Sequence, residues 1–155
     1  MKKTICFSSD TCHLAEVRAE VRAFLGQHGF DECATELMVL ALDEACTNVI
    51  RHAYAHERKP VRLEMTALRG LVRFVLRDYG RTCDPAKIKS RELEDIRPGG
   101  LGVHIIKQAF DSVTYSPQPR GTRLVLEKKR IRETHGAGTV GTAAGAPGPD
   151  IAPGT

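Results

Sequence analysis

A carboxylate and a carboxamide spaced four residues apart are the first side chains with the chemistry of a reactive site. Glu44 and Asn48 fall in a segment whose apolar residues recur at helical spacing, so they share one helix face, which His52 continues. A carboxylate is a general base, and a carboxamide oxygen is a hard ligand that suits Mg²⁺. The alternative is a hydrogen-bonded polar patch at the edge of the core, because an unpartnered buried polar group costs roughly 1–3 kcal/mol.

A second carboxylate stands where an alternating apolar segment ends. Asp78 follows residues 72–76, and Gly80 comes two positions later. An Asp side chain accepts a hydrogen bond from an exocyclic amine such as that of adenine, and a glycine lets the backbone approach a flat ligand closely. An ordinary Asp-x-Gly turn explains the same residues when they are taken alone.

The third stretch is a glycine-rich run at the start of a predicted helix. Gly99, Gly100 and Gly102 surround the first residues of that helix. Exposed backbone N–H groups and the helix dipole favour anions such as phosphates at this position. The run matches neither the dinucleotide-binding glycine pattern after a strand nor the P-loop pattern, and a flexible hinge is the alternative explanation.

The periodicity of the apolar residues predicts the elements that position these three stretches. Strands are expected at residues 3–8, 61–65, 72–76, 113–115 and 122–127, and helices at about 11–27, 31–55 and 101–110. Leu37, Leu40, Ala41 and Ala45 are expected to form the apolar stripe of the second helix. The order predicts an α+β fold, a two-layer α/β sandwich whose mainly antiparallel sheet is covered on one face by helices.

Composition predicts one domain, residues 1–130, followed by a disordered tail, residues 131–155. From residue 134 onward the chain holds six of its 14 glycines and three of its 8 prolines, with almost no charge or bulk. Such a tail buries too little apolar area to offset its ordering entropy. Residues 79–99 form a long polar connection, a type that is usually functional or mobile in compact domains.

Charge and residue content argue against direct nucleic-acid binding, membrane insertion and secretion. The net charge of +4 is spread along the chain, Trp is absent and aromatic residues make up 5%, so a nucleic-acid surface is poorly supplied. No apolar run has the length of a membrane helix or the character of a signal peptide. The 5 cysteines lack a C-x-x-C pair, which predicts free buried thiols in a reducing cytoplasm.

Together the three stretches form a combined pattern with few chance matches, and at this point the chain resembles a known family. It is similar to the GHKL ATPase superfamily, which has the Bergerat ATP-binding fold. Within it, the chain looks most like the stand-alone serine/threonine kinases that act as anti-sigma factors, the SpoIIAB and RsbW type. Residues 41–54, 78–80, 99–106 and 121–122 carry the resemblance, which extends over about residues 4–128.

The resemblance implies ATP and Mg²⁺ as cofactors and gives each matching residue a role. Glu44 would be the general base for a serine hydroxyl, and Asn48 would ligand Mg²⁺. Asp78 would bind the adenine amine, and residues 81–98 would form the ATP lid. Arg97 is assigned to the γ-phosphate by its position and charge alone. The full set of implied nucleotide-binding residues is Asn48, His52, Asp78, Gly80, Arg97, Gly100, Leu101, Gly102, Val103 and Thr122.

One departure from the family concerns the hinge of the implied lid. The family often has a second glycine two positions after the first, whereas here Gly80 is followed by Arg81 and Thr82. A stiffer hinge and a changed ATP affinity are therefore expected, while the implied phosphate and metal motifs are intact.

The resemblance implies phosphoryl transfer to a STAS-type anti-sigma-factor antagonist, with a sigma factor as a second partner and a homodimer as the assembly. The alternative is a partner-switching module that sequesters a sigma factor or a phosphatase without kinase activity. A sensor histidine kinase fragment would need an upstream helix pair with a phosphorylatable histidine. A gyrase-type or mismatch-repair-type ATPase would need a transducer domain, and neither feature is found in the sequence.

Overall fold

Alternating apolar residues build a five-stranded antiparallel sheet. The computed structural model describes residues 1–53, 58–80 and 101–130. In chain order, the strands are β1 (Lys2–Ser8), β2 (Pro60–Leu68), β3 (Leu71–Asp78), β4 (Ser112–Pro117) and β5 (Thr122–Lys129). Their order across the sheet is β1-β2-β3-β5-β4, and every neighbouring pair is antiparallel. β3 therefore lies at the centre, and its carboxyl end carries Asp78.

Within the described residues, three α-helices accompany the sheet, and side-chain caps define where two helical segments begin. They are α1 (Leu14–Gln27), α2 (Glu32–Ala53) and α3 (Leu101–Ala109), and a short 3₁₀ turn, Thr11–His13, precedes α1. The Asp31 carboxylate accepts a hydrogen bond from the N–H of Ala34 at 2.7 Å, which satisfies one of the free donors at the start of α2. Asp10 caps the 3₁₀ turn in the same way through the N–H of Cys12 at 3.1 Å.

The core lies between the helices and one face of the sheet. Phe74, at the centre of β3, is fully buried and makes edge-to-face contacts with Phe24 of α1 and Phe110 after α3, at ring-centre distances of 5.9 and 5.8 Å. Burying such a ring contributes roughly 1.5–3 kcal/mol. The rest of β3 and the strands on either side of it add alternating residues to the same face: Val61, Leu63, Met65, Val72, Leu76, Leu124 and Leu126. This packing fixes the helices relative to the carboxyl end of β3.

The architecture confirms the predicted α+β fold and corrects several local expectations. β2 and β4 are longer than the alternation predicted, and the 3₁₀ turn delays the start of α1 to Leu14. Leu40 is 47% exposed, so the prediction that it belongs to the buried stripe of α2 is wrong. In the described part of the chain, no helix combines the length and apolar character needed to cross a bilayer.

The prediction that the cysteines are free and buried is confirmed only in part. Cys6, Cys12, Cys33 and Cys46 are free thiols, as predicted, but only Cys46 is buried. The other three are exposed because they lie on the outer sides of β1, the 3₁₀ turn and α2. Cys83 lies outside the described residues.

Candidate functional site

Helices α2 and α3 meet where Glu44 faces the first turn of α3. Gly102 is buried, and a Cβ atom built on it would lie 2.5 Å from Glu44 Oε2 and 3.2 Å from Glu44 Cδ. No real Cβ tolerates the shorter distance without a shift of its neighbour. A glycine is therefore required for α3 to approach Glu44 this closely. The contact joins two stretches that lie more than fifty residues apart in the sequence.

The two carboxylates at positions 43 and 44 have different surroundings. Asp43 forms an ion pair with Arg18 at 2.8 Å, which links α2 to α1. Glu44 and Asn48 are partly buried, and neither makes a hydrogen bond or ion pair with any of the described side chains. Asp43 therefore links two helices, whereas no described side chain engages the carboxylate and the carboxamide one turn apart.

Cys46 lies between these two residues but is not suited to chemistry. Its side chain is fully buried, and burial, with a smaller contribution from the charge of Asp43, raises the pKa of the thiol to about 12. The reactive form of a cysteine is the thiolate. Cys46 therefore stays protonated near neutral pH and acts as a small core residue.

Asp78 is a buried carboxylate held by backbone donors. It is 3% exposed, and the N–H of Gly80 donates to its Oδ1 at 3.1 Å. The N–H of Thr122 also donates to this carboxylate. Burial raises the pKa of Asp78 above its ordinary value, and the backbone hydrogen bonds and the charge of Arg77 offset this only in part. The group is a strong acceptor in an apolar setting, and a ligand amine would supply a further donor.

Gly121 makes room for this carboxylate. Its φ is +71°, and a Cβ atom at this position would overlap the carbonyl oxygen and Oδ1 of Asp78 and lie 2.7 Å from its carbonyl carbon. The turn before β5 therefore fits against the end of β3 only with glycine here. Gly121 is among the residues that carry the family resemblance, but the resemblance implies no role for it.

Arg77 is a residue of this site that the sequence reasoning missed. Its guanidinium donates to the carbonyl oxygens of Asp78 and of Thr122, the latter at 3.2 Å, and it lies 4.6 Å above the centre of the Tyr79 ring. These contacts tie the end of β3 to the start of β5. The available signal was its place in an alternating strand directly before the predicted Asp78.

The predicted residues within the described chain form two groups. Glu44 lies against Gly102, and Asp78 lies against Gly80 and Thr122. Val103 is 49% exposed in the first turn of α3.

The structure does not describe the side chains of the remaining predicted residues. Leu101 and His52 lie in α3 and α2, and their side chains are not described. Arg97, Gly100, Thr82 and the predicted lid at residues 81–98 lie outside the described residues.

The described residues fit Mg²⁺ that is bound together with a nucleotide. Residues 1–53, 58–80 and 101–130 contain no group of three His, Cys, Asp or Glu side chains arranged to hold a metal. Mg²⁺ commonly takes one or two protein oxygens and completes its shell with phosphates and water. The available amide of Asn48, one turn from Glu44, fits that mode of binding.

Comparison with known families gives one match that spans most of the chain. Residues 7–128 match the family described as "Histidine kinase-like ATPase domain". The matched region contains β2, β3 and β4, the last two residues of β1, all of β5 except Lys129, and the three helices given above.

Proteins of similar sequence carry a consistent name. The chain is 27% identical over 110 residues to the serine-protein kinase RsbW of Bacillus thuringiensis (strain Al Hakam), covering 65% of this chain and 68% of that protein. It is 28% identical over 106 residues to the serine-protein kinase RsbW of Staphylococcus aureus, covering 60% of this chain and 67% of that protein.

A solved structure shares the fold. The crystal structure of the RsbU and RsbW domains of Rv1364c from Mycobacterium tuberculosis superposes with a TM-score of 0.63 over 83% of this chain, at 19% sequence identity. This chain spans 32% of that longer chain. At this level of identity the likeness concerns the fold.

Proposed function

This chain belongs to the family of histidine kinase-like ATPase domains, and from that premise we propose that it is an ATP- and Mg²⁺-dependent protein serine/threonine kinase. We propose further that it acts as an anti-sigma factor and phosphorylates a STAS-type antagonist. The similar proteins named serine-protein kinase RsbW support this activity. The observation that carries the proposal is the contact of Glu44 with Gly102, because it places a carboxylate at the first turn of α3.

The α2–α3 contact supplies a place for the phosphates. The first N–H groups of α3 have no partner within the helix and carry the positive end of its dipole, so they favour an anion. Gly100, Leu101 and Gly102 would line the phosphates, with Val103 in the same turn and Arg97 at the γ-phosphate. Asn48, one helical turn from Glu44, would hold Mg²⁺ through its amide oxygen, and His52 would continue this face.

The carboxyl end of β3 supplies a place for the base of the nucleotide. Asp78 would accept a hydrogen bond from the adenine amine, which compensates a carboxylate that burial makes costly. Gly80 would lie beside the ring, and Thr122 would support the same end. Arg77 holds the two strand ends together and so keeps Asp78 in position.

Bound ATP and Mg²⁺ would supply the phosphoryl group and neutralise its charge. The contribution of the chain is then mainly positioning, as is usual for phosphoryl transfer. Glu44 would accept the proton of the attacking serine or threonine hydroxyl at its carboxylate. Its neighbour Asp43, rather than Glu44, is the carboxylate that pairs with Arg18.

The proposed partners rest on the resemblance to the anti-sigma-factor kinases, which the similar proteins named serine-protein kinase RsbW support. A STAS-type antagonist would be the substrate, a sigma factor would bind the kinase once the antagonist is phosphorylated, and a homodimer is the proposed assembly. The second candidate is a partner-switching module that lacks kinase activity. The Thr82 departure from the family pattern favours it, because a stiffer hinge would hinder the closure that phosphoryl transfer requires.

Phosphoryl transfer to STAS-domain proteins from the same organism tests the proposal. Each would be incubated with the protein, Mg²⁺ and ATP labelled at the γ-phosphate. The wild type is expected to label a serine or threonine on one of them. Glu44→Gln is expected to bind ATP normally and to transfer at least about 100-fold more slowly, the loss typical of a missing general base.

Glu16→Gln is the matched control, because Glu16 is exposed on α1, and it should label at the wild-type rate. Labelling that is unchanged in Glu44→Gln would remove the assigned role of Glu44. ATP binding by the wild type without any labelled partner would overturn the kinase and leave the partner-switching module.

A further inference from the structure

The face of the sheet that points away from the helices is rich in arginine. In each strand it carries the residues that alternate with the buried core positions, and we call it the open face. Its basic residues are Lys2, Arg62, Arg73, Arg77, Arg123 and Lys129, and its acidic residues are Glu64 and Glu127. The four basic residues in the interior of the central strands, Arg62, Arg73, Arg77 and Arg123, are all arginine, the cation best suited to pairing with carboxylates at interfaces.

Three of these arginines form one row across neighbouring strands. Arg62 of β2 pairs in register with Arg77 of β3, and Arg77 pairs with Arg123 of β5. Like charges directly opposite one another destabilise a sheet. The row therefore works against folding in the isolated chain.

The described acidic side chains neutralise only part of the positive charge of this row. Arg62 pairs with Glu64 at 2.7 Å, yet its Nε atom is shielded from solvent and meets no acceptor among the described residues. Arg123 is exposed and makes no ion pair within the described residues. A carboxylate from outside the chain would reach the outer nitrogens of Arg62, whose side chain is 43% exposed, and the guanidinium of Arg123.

The row borders an apolar centre and a depression. Val75 and Val125 lie directly opposite one another in the next row of the open face, and Arg73 pairs with Glu127 beyond them at 2.6 Å. A depression of about 260 Å³ is lined by Arg73, Ser112, Thr114, Arg123, Val125 and Glu127. An apolar centre within a charged rim, enriched in arginine, is the usual composition of a protein–protein interface.

We propose that the open face docks an acidic surface of a partner protein, whose carboxylates lie between Arg62, Arg77 and Arg123. Two parallel hydrogen bonds join a guanidinium to a carboxylate, so such a partner would relieve the repulsion within the row. A second copy of this chain is a poor occupant, because it would bring the same excess of positive charge. The site lies across the sheet from α2 and α3 and does not depend on the proposed function.

A nucleic acid suits the open face less well than an acidic protein. Within the five strands, the open face carries no aromatic side chain on which a base would stack, and the ring of Tyr79, just beyond β3, already stacks on Arg77. Glu64 and Glu127 also interrupt the positive surface along which a phosphate backbone would run. Separate carboxylates on a folded partner are able to avoid these two positions.

Binding of fluorescently labelled poly-L-glutamate, about 20 residues long, tests the proposal by fluorescence anisotropy at low salt, where charge contacts are least screened. Arg62→Gln/Arg123→Gln is expected to bind the probe at least about tenfold more weakly than the wild type, which corresponds to about 1.4 kcal/mol. Arg69→Gln/Lys107→Gln removes the same charge from exposed positions elsewhere and should weaken binding less than about twofold. The single variant Arg123→Gln, at an exposed position, should show part of the loss without risk to folding.

Several results would overturn the proposal. Equal weakening by both double variants would show that only net charge matters, and no binding by the wild type would contradict the site directly. An oligodeoxynucleotide of equal length is the second probe. If it binds more tightly than poly-L-glutamate and its binding depends equally on Arg62 and Arg123, the open face is a nucleic-acid surface. If the wild type forms a dimer and Arg62→Gln/Arg123→Gln abolishes it, the open face is a contact between two copies of this chain. ATP binding measured on the same samples separates each result from a failure of the nucleotide site.

Discussion

Gly102 lies so close to Glu44 that a Cβ atom at position 102 would be 2.5 Å from the carboxylate oxygen Oε2. The start of α3 and the centre of α2 thus form a single site, although the segment that connects them in the sequence includes two strands. The contact is tolerated because glycine has no side chain. Any substitution at position 102 therefore changes the position of Glu44.

Gly102→Ala is expected to separate activity from stability. The atom that the new methyl group meets first is the end of a flexible side chain, so Glu44 can turn away at small cost to folding. Alanine also favours a helix over glycine by about 1 kcal/mol. We expect a melting temperature within about 4 °C of the wild type and phosphoryl transfer reduced at least about tenfold.

Gly26→Ala is the matched control for this variant. Gly26 is also helical, and a Cβ atom there would meet nothing within 4 Å. It should raise the free energy of unfolding by about 0.5–1 kcal/mol and leave transfer unchanged. Normal transfer by Gly102→Ala would show that the position of Glu44 is unimportant.

Asp78→Asn is expected to weaken ATP binding by about tenfold or more without loss of stability at neutral pH. The substitution keeps one acceptor oxygen for the backbone donors but removes the charge that burial makes costly. Calorimetry with ATP and urea unfolding of the same samples would measure both effects. ATP binding equal to the wild type would exclude Asp78 from the nucleotide site.

The difference in stability between Asp78→Asn and the wild type is expected to change with pH in a known direction. Because the pKa of Asp78 is raised in the folded protein, the folded state keeps this proton to higher pH than the unfolded chain does. Asp78 therefore lowers the free energy of unfolding as pH rises from its ordinary pKa through the raised one. The variant should gain stability relative to the wild type as pH rises above about 4. An unchanged or reversed difference would contradict the raised pKa.

Gly121→Ala is expected to cost more stability than Gly70→Ala. Both residues have positive φ values, +71° and +83°, and that strain alone costs roughly 1–2 kcal/mol for alanine. Only at Gly121 would the methyl group also overlap the Asp78 backbone and carboxylate, whereas nothing lies within 4 Å of it at Gly70. Urea unfolding should show an additional loss of about 1 kcal/mol or more for Gly121→Ala. Equal losses would mean that the turn can move away from Asp78.

Much of the fold could be predicted from the sequence because local periodicity determines the elements. The alternation of Val61, Leu63 and Met65 marked a half-buried strand, and their complete burial confirms it. The place of β5 between β3 and β4 could not be predicted, since strand order depends on packing across the whole sheet. Leu40 was misassigned because helical spacing identifies an apolar stripe only to within about one residue on either side.

The site residues could be predicted where a single segment contains the sequence pattern. They could not be predicted where the site depends on contacts between two segments. Glu44 and Asn48 were found from their four-residue spacing on one helix. The contacts of Arg77 with Thr122 and of Gly121 with Asp78 join strands that lie more than forty residues apart. The arginine row depends on the register of three strands, which the sequence alone does not determine.

ATP binding measured by calorimetry with and without Mg²⁺ tests most directly whether these residues form a nucleotide site. The wild type is expected to bind ATP at least about tenfold more tightly with Mg²⁺, and Asn48→Ala is expected to lose that gain. Gln27→Ala, an amide removed from an exposed position at the end of α1, should retain it. Absence of ATP binding by the wild type, or a full Mg²⁺ effect in Asn48→Ala, would contradict the nucleotide site at α2 and α3.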